Sequence, residues 1–313
     1  MSSLLTNSAA MTALQTLSAT NKKMDITQNR ISTGYRVSTA ADNAAYWSIA
    51  TTMRSDNKAL GAVQDALGLG AATVDVMYTA LNSTVEVVSE IKAKVVAAAQ
   101  PGVDRGKIQS EIAELQNQLS NIAASAVFNG ENWLSFDSAN AGAAADREIV
   151  SSFTRTAAGA VSLQTTTVEI TGTLLIDTNA ANAGILDQDR SAAFTFAGTS
   201  VTGISLMDLD ISGVSDADFS ADMERAVGLV DAVLSDITDA ATNLGAIKNR
   251  LGLQQDFVKA LKDSIDRGVG QLVDADMNAE STRLQALQVQ QQLGIQALSI
   301  ANGNSQNILS LFR

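Results

Sequence analysis

The chain of 313 residues contains no histidine and no cysteine. Without cysteine, no disulfide, thiolate nucleophile or cysteine metal site can form. Without histidine, the commonest general base and the commonest metal ligand are both missing. Catalytic triads that need histidine and the histidine-containing zinc motifs are therefore excluded, and only catalysis by carboxylates stays open on composition. We expect a protein that is not an enzyme and that has no cofactor and no metal site.

Basic charge and long apolar runs are also scarce. The 21 Lys and Arg residues are scattered among 33 Asp and Glu residues, and the net charge of −12 argues against a nucleic-acid partner. No stretch of about 20 apolar residues exists, so we expect no membrane insertion. The first residues lack a basic segment followed by a continuous apolar one, which predicts no cleaved secretory signal. Composition alone thus favours a cytoplasmic protein.

Apolar residues recur at alternating spacings of three and four, which predicts long helices. The chain is 46% hydrophobic but only 4% aromatic, and its single proline is Pro101. One apolar stripe precedes that proline and a second follows it, which predicts an antiparallel helical hairpin closed by a turn at 100–102. The first stripe comprises Leu60, Val63, Leu67, Gly70, Val74, Met77, Leu81, Thr84, Val88, Ile91 and Val95. The second comprises Ile108, Ile112, Leu115, Leu119, Ile122 and Ala126.

A third stripe predicts a helix of more than forty residues in the C-terminal half, with Ser215 and Asp218 as a capping box upstream. It comprises Met223, Ala226, Val230, Val233, Ile237, Ala240, Leu244, Ile247, Leu251, Gln254, Val258, Leu261 and Ile265. The N-terminal hairpin is its expected partner, and a free-standing coiled coil is the alternative. Between these helices, short alternating runs at 161–163, 168–170, 174–176 and 204–211 predict a small β-rich insertion.

The two ends carry helical stripes diluted by polar residues. The first stripe contains the polar residues Asn21 and Gln28. The second stripe begins at Met277 and contains the polar or small residues Glu280, Gln291, Gly294, Ala301 and Ser305. Ordering about thirty residues costs on the order of 30–60 kcal/mol, whereas burying four apolar side chains returns about 6–12 kcal/mol. Neither end should therefore fold alone; each needs apolar surface from the other end or from other copies. The apolar members are Leu14, Leu17, Met24 and Ile31 in the first stripe, and Leu284, Leu287, Leu298, Ile308 and Phe312 in the second.

Three segments resemble bacterial flagellin. Residues 30–45, RISTGYRVSTAADNAA, resemble the N-terminal signature R-[IL]-S-[ST]-G-x-R-[IV]-x-x-A-x-D-[DN]-A-A, and residues 307–313, NILSLFR, resemble the ending N-[VI]-L-S-L-x-R. Phe128-Asn129-Gly130 resembles the F-N-G step where the helical arm of flagellin enters its outer region. The resemblance covers roughly 1–135 and 215–313, and the middle resembles no family.

The resemblance implies a mostly α fold, in which N- and C-terminal arms form a long antiparallel bundle with a small β-rich outer insertion. It implies inner-tube helices at 1–40 and 271–313, a helical arm at 41–135 and 215–270, and a variable outer domain at 136–214. The function implied is that of a structural subunit that polymerises with itself, and with sibling flagellins, into the flagellar filament. Further partners implied are the flagellar export apparatus, a flagellin export chaperone, the filament cap and the hook–filament junction proteins. Export without a cleaved signal peptide and an extracellular location then replace the cytoplasmic interpretation.

The expected assembly residues are the nine apolar residues of the two end stripes together with Gly34, Arg36, Asp42, Leu309, Leu311 and Arg313. Gly34 can adopt positive φ and should end the first helix. Thr39 with Asp42 predicts a capping box for a short following helix. Arg36 could bridge a carboxylate or helix carbonyls on a neighbouring subunit, or be a solvated surface arginine.

Two features depart from the family pattern. Tyr46-Trp47 replaces a Gly-polar step, and Glu90 and Ala93 replace an Arg and a Glu in the stretch that the animal flagellin receptor recognises. We therefore expect no recognition by that receptor, as in some soil-bacterial flagellins with similar departures. The alternatives are a hook–filament junction protein, which shares the helical ends, and a secreted coiled-coil translocator of a type III export system.

Overall fold

The computed structural model describes residues 7–100, 102–140, 142, 146–156, 159–179, 183–190, 194–196, 199–201, 204–214 and 219–310. Five helices account for most of them: α1 (Ser8–Thr33), α2 (Ala44–Ala98), α3 (Arg105–Ser125), α4 (Phe219–Val273) and α5 (Met277–Ser310). The chain divides into two compact units. We call Met1–Lys58 with Leu261–Arg313 the terminal unit, and Ala59–Ala260 the central unit. The prediction of a mostly α fold with a small strand-containing insertion is confirmed.

Helix α1 begins and ends at residues whose chemistry suits those positions. The Asn7 side-chain oxygen accepts a hydrogen bond from the Ala10 N–H at 3.0 Å, which satisfies one free donor of the first turn. Gly34 has φ 74° and its N–H donates to the Arg30 carbonyl at 2.8 Å. Only glycine adopts this left-handed conformation without strain, so the prediction that Gly34 ends the first helix is confirmed.

The predicted short helix after Thr39 is wrong; residues 39–42 form a turn. The Asp42 carboxylate accepts the N–H groups of Ser38 and Thr39 at 3.1 and 2.9 Å, which closes the turn instead of opening a helix. Helix α2 begins two residues later because Asn43 caps it, its side-chain oxygen accepting the N–H groups of Ala45 and Tyr46 at 3.1 and 3.2 Å.

In the central unit, α2 and α4 pack antiparallel. Lys92 pairs with Asp231 and Lys248 pairs with Asp75, so residues further along α2 face residues earlier in α4. The predicted stripes form the core: nine of the eleven residues named in α2 are large apolar side chains that are buried. They are Leu60, Val63, Leu67, Val74, Met77, Leu81, Val88, Ile91 and Val95. A free-standing coiled coil is therefore wrong, since α4 packs along α2.

Helix α3 turns back along α2, as the predicted hairpin requires. Lys94 of α2 pairs with Glu111 of α3. Ile112 and Leu119 are buried as predicted, but Gln116 and Ala123 are buried in preference to Leu115 and Ile122. Pro101, Ser215 and Asp218 lie outside the described residues; near them, α2 ends at Ala98 and α4 begins at Phe219.

The described strands pair two by two. Strand β1 (Ser135–Phe136) pairs in parallel with β4 (Ile176–Asp177), and β2 (Arg147–Arg155) pairs antiparallel with β3 (Val161–Val168). Strand β5 (Phe194–Phe196) pairs antiparallel with β6 (Thr199–Val201).

The strand predicted over 204–211 is wrong, apart from a single bridge at Ile204. Gln116 donates to the carbonyls of Leu206 and Leu209 at 2.9 and 3.0 Å, and Gln109 accepts the Ile211 N–H at 2.9 Å. The glutamines of α3 thus satisfy backbone groups that a neighbouring strand would otherwise pair with.

Candidate assembly surface

Helices α1 and α5 of the terminal unit form one antiparallel pair. The Asn7 side-chain amide donates to the Ala301 carbonyl at 2.9 Å. Near the middle of the pair, Gln291 donates to the Asn21 side-chain oxygen at 2.9 Å. At the far end, an Arg30 guanidinium nitrogen lies 3.1 Å from a Glu280 carboxylate oxygen. Early residues of α1 therefore face late residues of α5 over the whole length of the pair.

The two helices approach closely at Gly294. A Cβ placed on this residue would lie 3.3 Å from Leu17 Cδ1, which is tighter than an ordinary van der Waals contact. Glycine therefore lets the Leu17 side chain lie directly on the backbone of α5.

A charged cluster fixes the end of the pair where α5 begins. Glu280 is buried, and one of its carboxylate oxygens lies 3.1 Å from guanidinium nitrogens of both Arg30 and Arg283. The Asp276 side chain caps the helix by accepting the N–H groups of Asn278 and Ala279 at 2.9 and 3.2 Å. A buried carboxylate needs such partners, so this cluster disfavours a shifted register of the two helices.

The pair buries very little of its own surface. Among the described side chains, Thr27 is the only buried residue of α1, and Glu280 and Leu287 are the only buried residues of α5. A helix in a globular core normally buries a continuous apolar stripe. One copy of the chain therefore supplies only part of the surface that these helices need.

The predicted assembly residues fall into three groups. Leu287 is buried between the two helices, while Leu17, Met24, Ile31, Leu284 and Leu298 are half-buried on the same inner face. Leu14 is 59% exposed, because the inner face continues from Leu17 back to Ala13 by a step of four residues. The side chains of Ile308 and Leu309 and the residues Leu311, Phe312 and Arg313 lie outside the described residues.

Sequence reasoning missed most of the large apolar side chains that the pair exposes. Seven such side chains are about half exposed or more: Met11, Leu14 and Ile26 on α1, and Val289, Leu293, Ile295 and Ile300 on α5. Leu14 belongs to the predicted N-terminal stripe, whereas the other six lie outside the predicted stripes. The signal in the sequence was the surplus of apolar residues beside those stripes. Val289, Leu293 and Ile300 share one side of α5, whereas Ile295 lies about 200° around the helix from Leu293. We call the seven residues together the outer apolar face.

The segment between α1 and α2 binds the end of α4. The Arg36 guanidinium donates to the Leu272 carbonyl at 3.0 Å, and the backbone N–H groups of Arg36 and Val37 donate to the Val273 carbonyl at 2.6 and 3.2 Å. Arg36 thus satisfies helix carbonyls of its own chain, where a positive charge also offsets the helix dipole. Val37, Ala50, Val269 and Val273 form a small core beside it.

Hydrogen bonds hold the pKa of the exposed Asp42 carboxyl below its usual range. The Thr39 backbone N–H contributes most, followed by the Thr39 hydroxyl and the Ser38 N–H. The charged form of Asp42 therefore supports the turn that joins the two helices. Gly34, Arg36 and Asp42 all lie in this segment, and each has partners within the chain.

Metal-binding clusters and membrane-spanning helices are both absent from the described residues. Within them, no group of three or more Asp and Glu side chains is placed to hold a metal ion. Nor is any helix in the described ranges long and apolar enough to cross a bilayer.

Family models and similar sequences among known proteins agree on the family to which this chain is similar. The family model described as the bacterial flagellin N-terminal helical region matches residues 4–139, and that of the C-terminal helical region matches residues 227–312. The chain is 51% identical to Flagellin C of Rhizobium meliloti (strain 1021) over 327 residues, covering 100% of both chains. It is 46% identical to a flagellin of Brucella melitensis over 314 residues, again covering 100% of both.

One solved structure shares the fold. It is provisionally described as a flagellar hook-associated protein from Vibrio parahaemolyticus and is 17% identical in sequence. The similarity covers 74% of this chain and 100% of that one, with a TM-score of 0.51.

Proposed function

Since the chain belongs to the bacterial flagellin family, we propose that it polymerises into the flagellar filament through its paired terminal helices, α1 and α5. Full-length relatives that are flagellins support the role of a structural filament subunit that assembles with itself. The observation that carries the proposal is the outer apolar face beside a pair in which three of the described side chains are buried. Val289, Leu293 and Ile300 form an exposed apolar stripe along one side of α5, and a stripe of this kind needs a partner.

The outer apolar face is large enough to contribute substantially to assembly. Burying the exposed part of each of its seven side chains gains about 1–2 kcal/mol, or on the order of 10 kcal/mol per copy. Association of two proteins costs an estimated 4–15 kcal/mol in lost translational and rotational freedom. The two magnitudes are similar, which suits a polymer that forms above a threshold concentration.

The finer organisation follows from the family. We infer that residues 1–40 and 271–313 line the inner tube, that 41–135 and 215–270 form the surrounding arm, and that 136–214 face the medium. Ile308, Leu309, Leu311, Phe312 and Arg313 would extend the assembly surface of α5. The chain would be exported without a cleaved signal peptide by the flagellar export apparatus, with an export chaperone. It would then be placed beneath the filament cap, beyond the hook–filament junction proteins. No feature of the described residues points to catalysis.

The decisive experiment is assembly of the purified chain in ammonium sulfate, followed by sedimentation and electron microscopy. Excluded salts strengthen apolar burial, so long filaments should form above a threshold concentration. Short stubs would favour a hook–filament junction protein, and soluble monomers would contradict the proposal. A chain in which a Gly/Ser link replaces residues 140–205 should still form filaments, at the threshold concentration that the terminal helices alone require, because α1 and α5 lie outside the replaced segment.

A further inference from the structure

A groove in the central unit lies between helix α2 and the β2–β3 hairpin. Its volume is about 270 Å³, and its wall includes Leu69, Trp133, Ile149 and Val150. The hairpin packs tightly on α2 here, since a Cβ on Gly70 would lie 2.5 Å from Ile149 Cγ2. Leu69 is 52% exposed although it lines the groove. Pockets for drug-sized ligands are typically 300–1,000 Å³, so a groove of this size suits one or two side chains.

An exposed apolar pair lies on α4 of the same unit. Leu253 is 72% exposed and Phe257 is 56% exposed, one helical turn apart. The buried Leu251 precedes Leu253 by two residues, about 200° around the helix, so Leu253 points away from the side that packs on α2. Two neighbouring apolar side chains exposed to solvent are unusual for a helix whose apolar stripe forms the core.

The groove and the apolar pair lie at the same level on opposite sides of the hairpin. Gln255 donates to the Leu67 carbonyl at 3.2 Å and Lys248 pairs with Asp75, which places residue 253 level with residue 69. The hairpin binds α4 through Gln254, which donates to the Ser151 carbonyl at 3.0 Å. The groove is bounded by α2 and contains no residue of α4 in its wall, whereas the apolar pair lies on α4.

We propose that Phe257 and Leu253 of one copy enter the groove beside Leu69 of a second copy, a contact that deepens the proposed function and rests on it. A protruding patch and a complementary groove at different places on one molecule form a heterologous contact, which generates open polymers instead of closed dimers. Because the two lie level with each other, the contact joins copies side by side.

Charge supports this orientation of the two copies. Glu148 lies exposed at the groove, and Arg250 lies on the same stripe of α4 as Leu253 and Phe257. Arg250 also donates to the Thr167 carbonyl of its own chain at 3.3 Å, and Glu131, the other carboxylate at the groove, lies 3.9 Å from Arg147 of its own chain. Asp256 flanks that stripe on its other side, so the match concerns the Arg250 side of the contact. Complementary charges at the edge of an apolar contact favour one orientation of the partners over others.

The test uses the absence of cysteine from the natural chain. Leu69→Cys and Leu253→Cys are introduced together, filaments are assembled, and a short bis-maleimide is added. We expect a ladder of covalent oligomers, since each copy offers both thiols to different neighbours. Either single variant should give no ladder, and Val96→Cys with Leu253→Cys serves as a matched exposed control. Filaments without a ladder would overturn this contact alone, whereas no filaments from the unmodified chain would overturn the proposed function and this contact with it.

A second measurement needs no cross-link. Phe257→Ala should raise the threshold concentration for assembly about tenfold, as expected for an aromatic residue central to an interface. Val96→Ala should leave that threshold unchanged, because Val96 is exposed but lies outside the groove and the apolar pair. An equal effect of the two variants would refute the contact. Circular dichroism of both monomers should match that of the unmodified chain, since both side chains are exposed.

Discussion

Leu293 and Ile300 give the sharpest test of the outer apolar face. They lie on α5 and are 59% and 66% exposed, so truncating both to alanine removes little from the folded monomer. Full burial of such a side chain gains about 1.5–3 kcal/mol, and more than half of that gain remains to be made in a polymer. Allowing for the methyl group that alanine keeps, each substitution should cost about 1 kcal/mol per copy on assembly.

The two effects should add. The residues are seven positions apart, which is two helical turns or about 10 Å, and effects at that separation are usually independent. A total of about 2 kcal/mol corresponds to a roughly thirtyfold rise in the threshold concentration for assembly. The threshold is read from the protein left in the supernatant after sedimentation.

A matched control separates the outer apolar face from helix α5 itself. Gln292→Ala with Gln296→Ala truncates two exposed polar side chains of the same helix and should leave the threshold unchanged. Alanine is the best helix former, so neither double variant should lose helical content. A threshold for Leu293→Ala with Ile300→Ala equal to that of the unmodified chain would refute the assignment of this face to assembly.

Three further predictions concern single positions. Gly70→Ala places a Cβ 2.5 Å from Ile149 Cγ2 and should destabilise the central unit by about 1–3 kcal/mol in a thermal melt. Adding Ile149→Ala should recover part of the loss, and Gly228→Ala, with open space around it, should cause none. Glu280→Ala leaves Arg30 and Arg283 without their shared carboxylate and should speed proteolytic trimming of α5. The control Glu114→Ala, at an exposed glutamate of α3, should not change the rate of trimming. Equal rates for the two variants would contradict the role of the cluster. Because the folded-state pKa of Asp42 is lowered, its support for the turn is present above its ordinary pKa and is lost as pH falls through the folded value. Acid should therefore reduce the protection of the Ser38 and Thr39 amides against hydrogen exchange, and Asp42→Asn should remove this pH dependence. If protection of these amides in the natural chain did not change with pH, Asp42 would not support the turn.

The long helices were predictable because their signal is repeated many times. In α2, large apolar residues recur at the helical period from Leu60 to Val95, and the structure buries them. The residues that form one face of a helix are three or four positions apart, so the spacing of apolar residues in the sequence shows the helical period directly. Gly34 was predictable for a related reason, since its positive φ suits glycine almost alone.

The missed features depend on residues far apart in the chain. Ala13 and Leu14 both suit the inner stripe by spacing, and hydrophobicity favours Leu14, yet the structure turns Ala13 inward and leaves Leu14 exposed. The residues of α5 that pack against this part of α1 are remote in sequence. The apolar spacing within α1 therefore cannot determine whether Ala13 or Leu14 faces α5. The segment 204–214 has strand-like alternation, but Gln109 and Gln116, about a hundred residues earlier, satisfy its backbone. Which side chains supply such bonds is set by tertiary packing.

The distribution of charge between the two units is consistent with the proposed division of roles. The terminal unit holds ten of the 21 Lys and Arg residues and eight of the 33 Asp and Glu residues, a formal charge of +2. The central unit holds the other eleven basic and 25 acidic residues, a formal charge of −14. Like charges on neighbouring copies repel each other, and the repulsion grows where copies come closest. The unit with the outer apolar face carries almost no net charge, so its close approach to other copies meets little repulsion. The charge of the acidic unit favours solubility of the free subunit. The proposed contact between Arg250 and Glu148 of neighbouring copies would offset part of the repulsion between their acidic units.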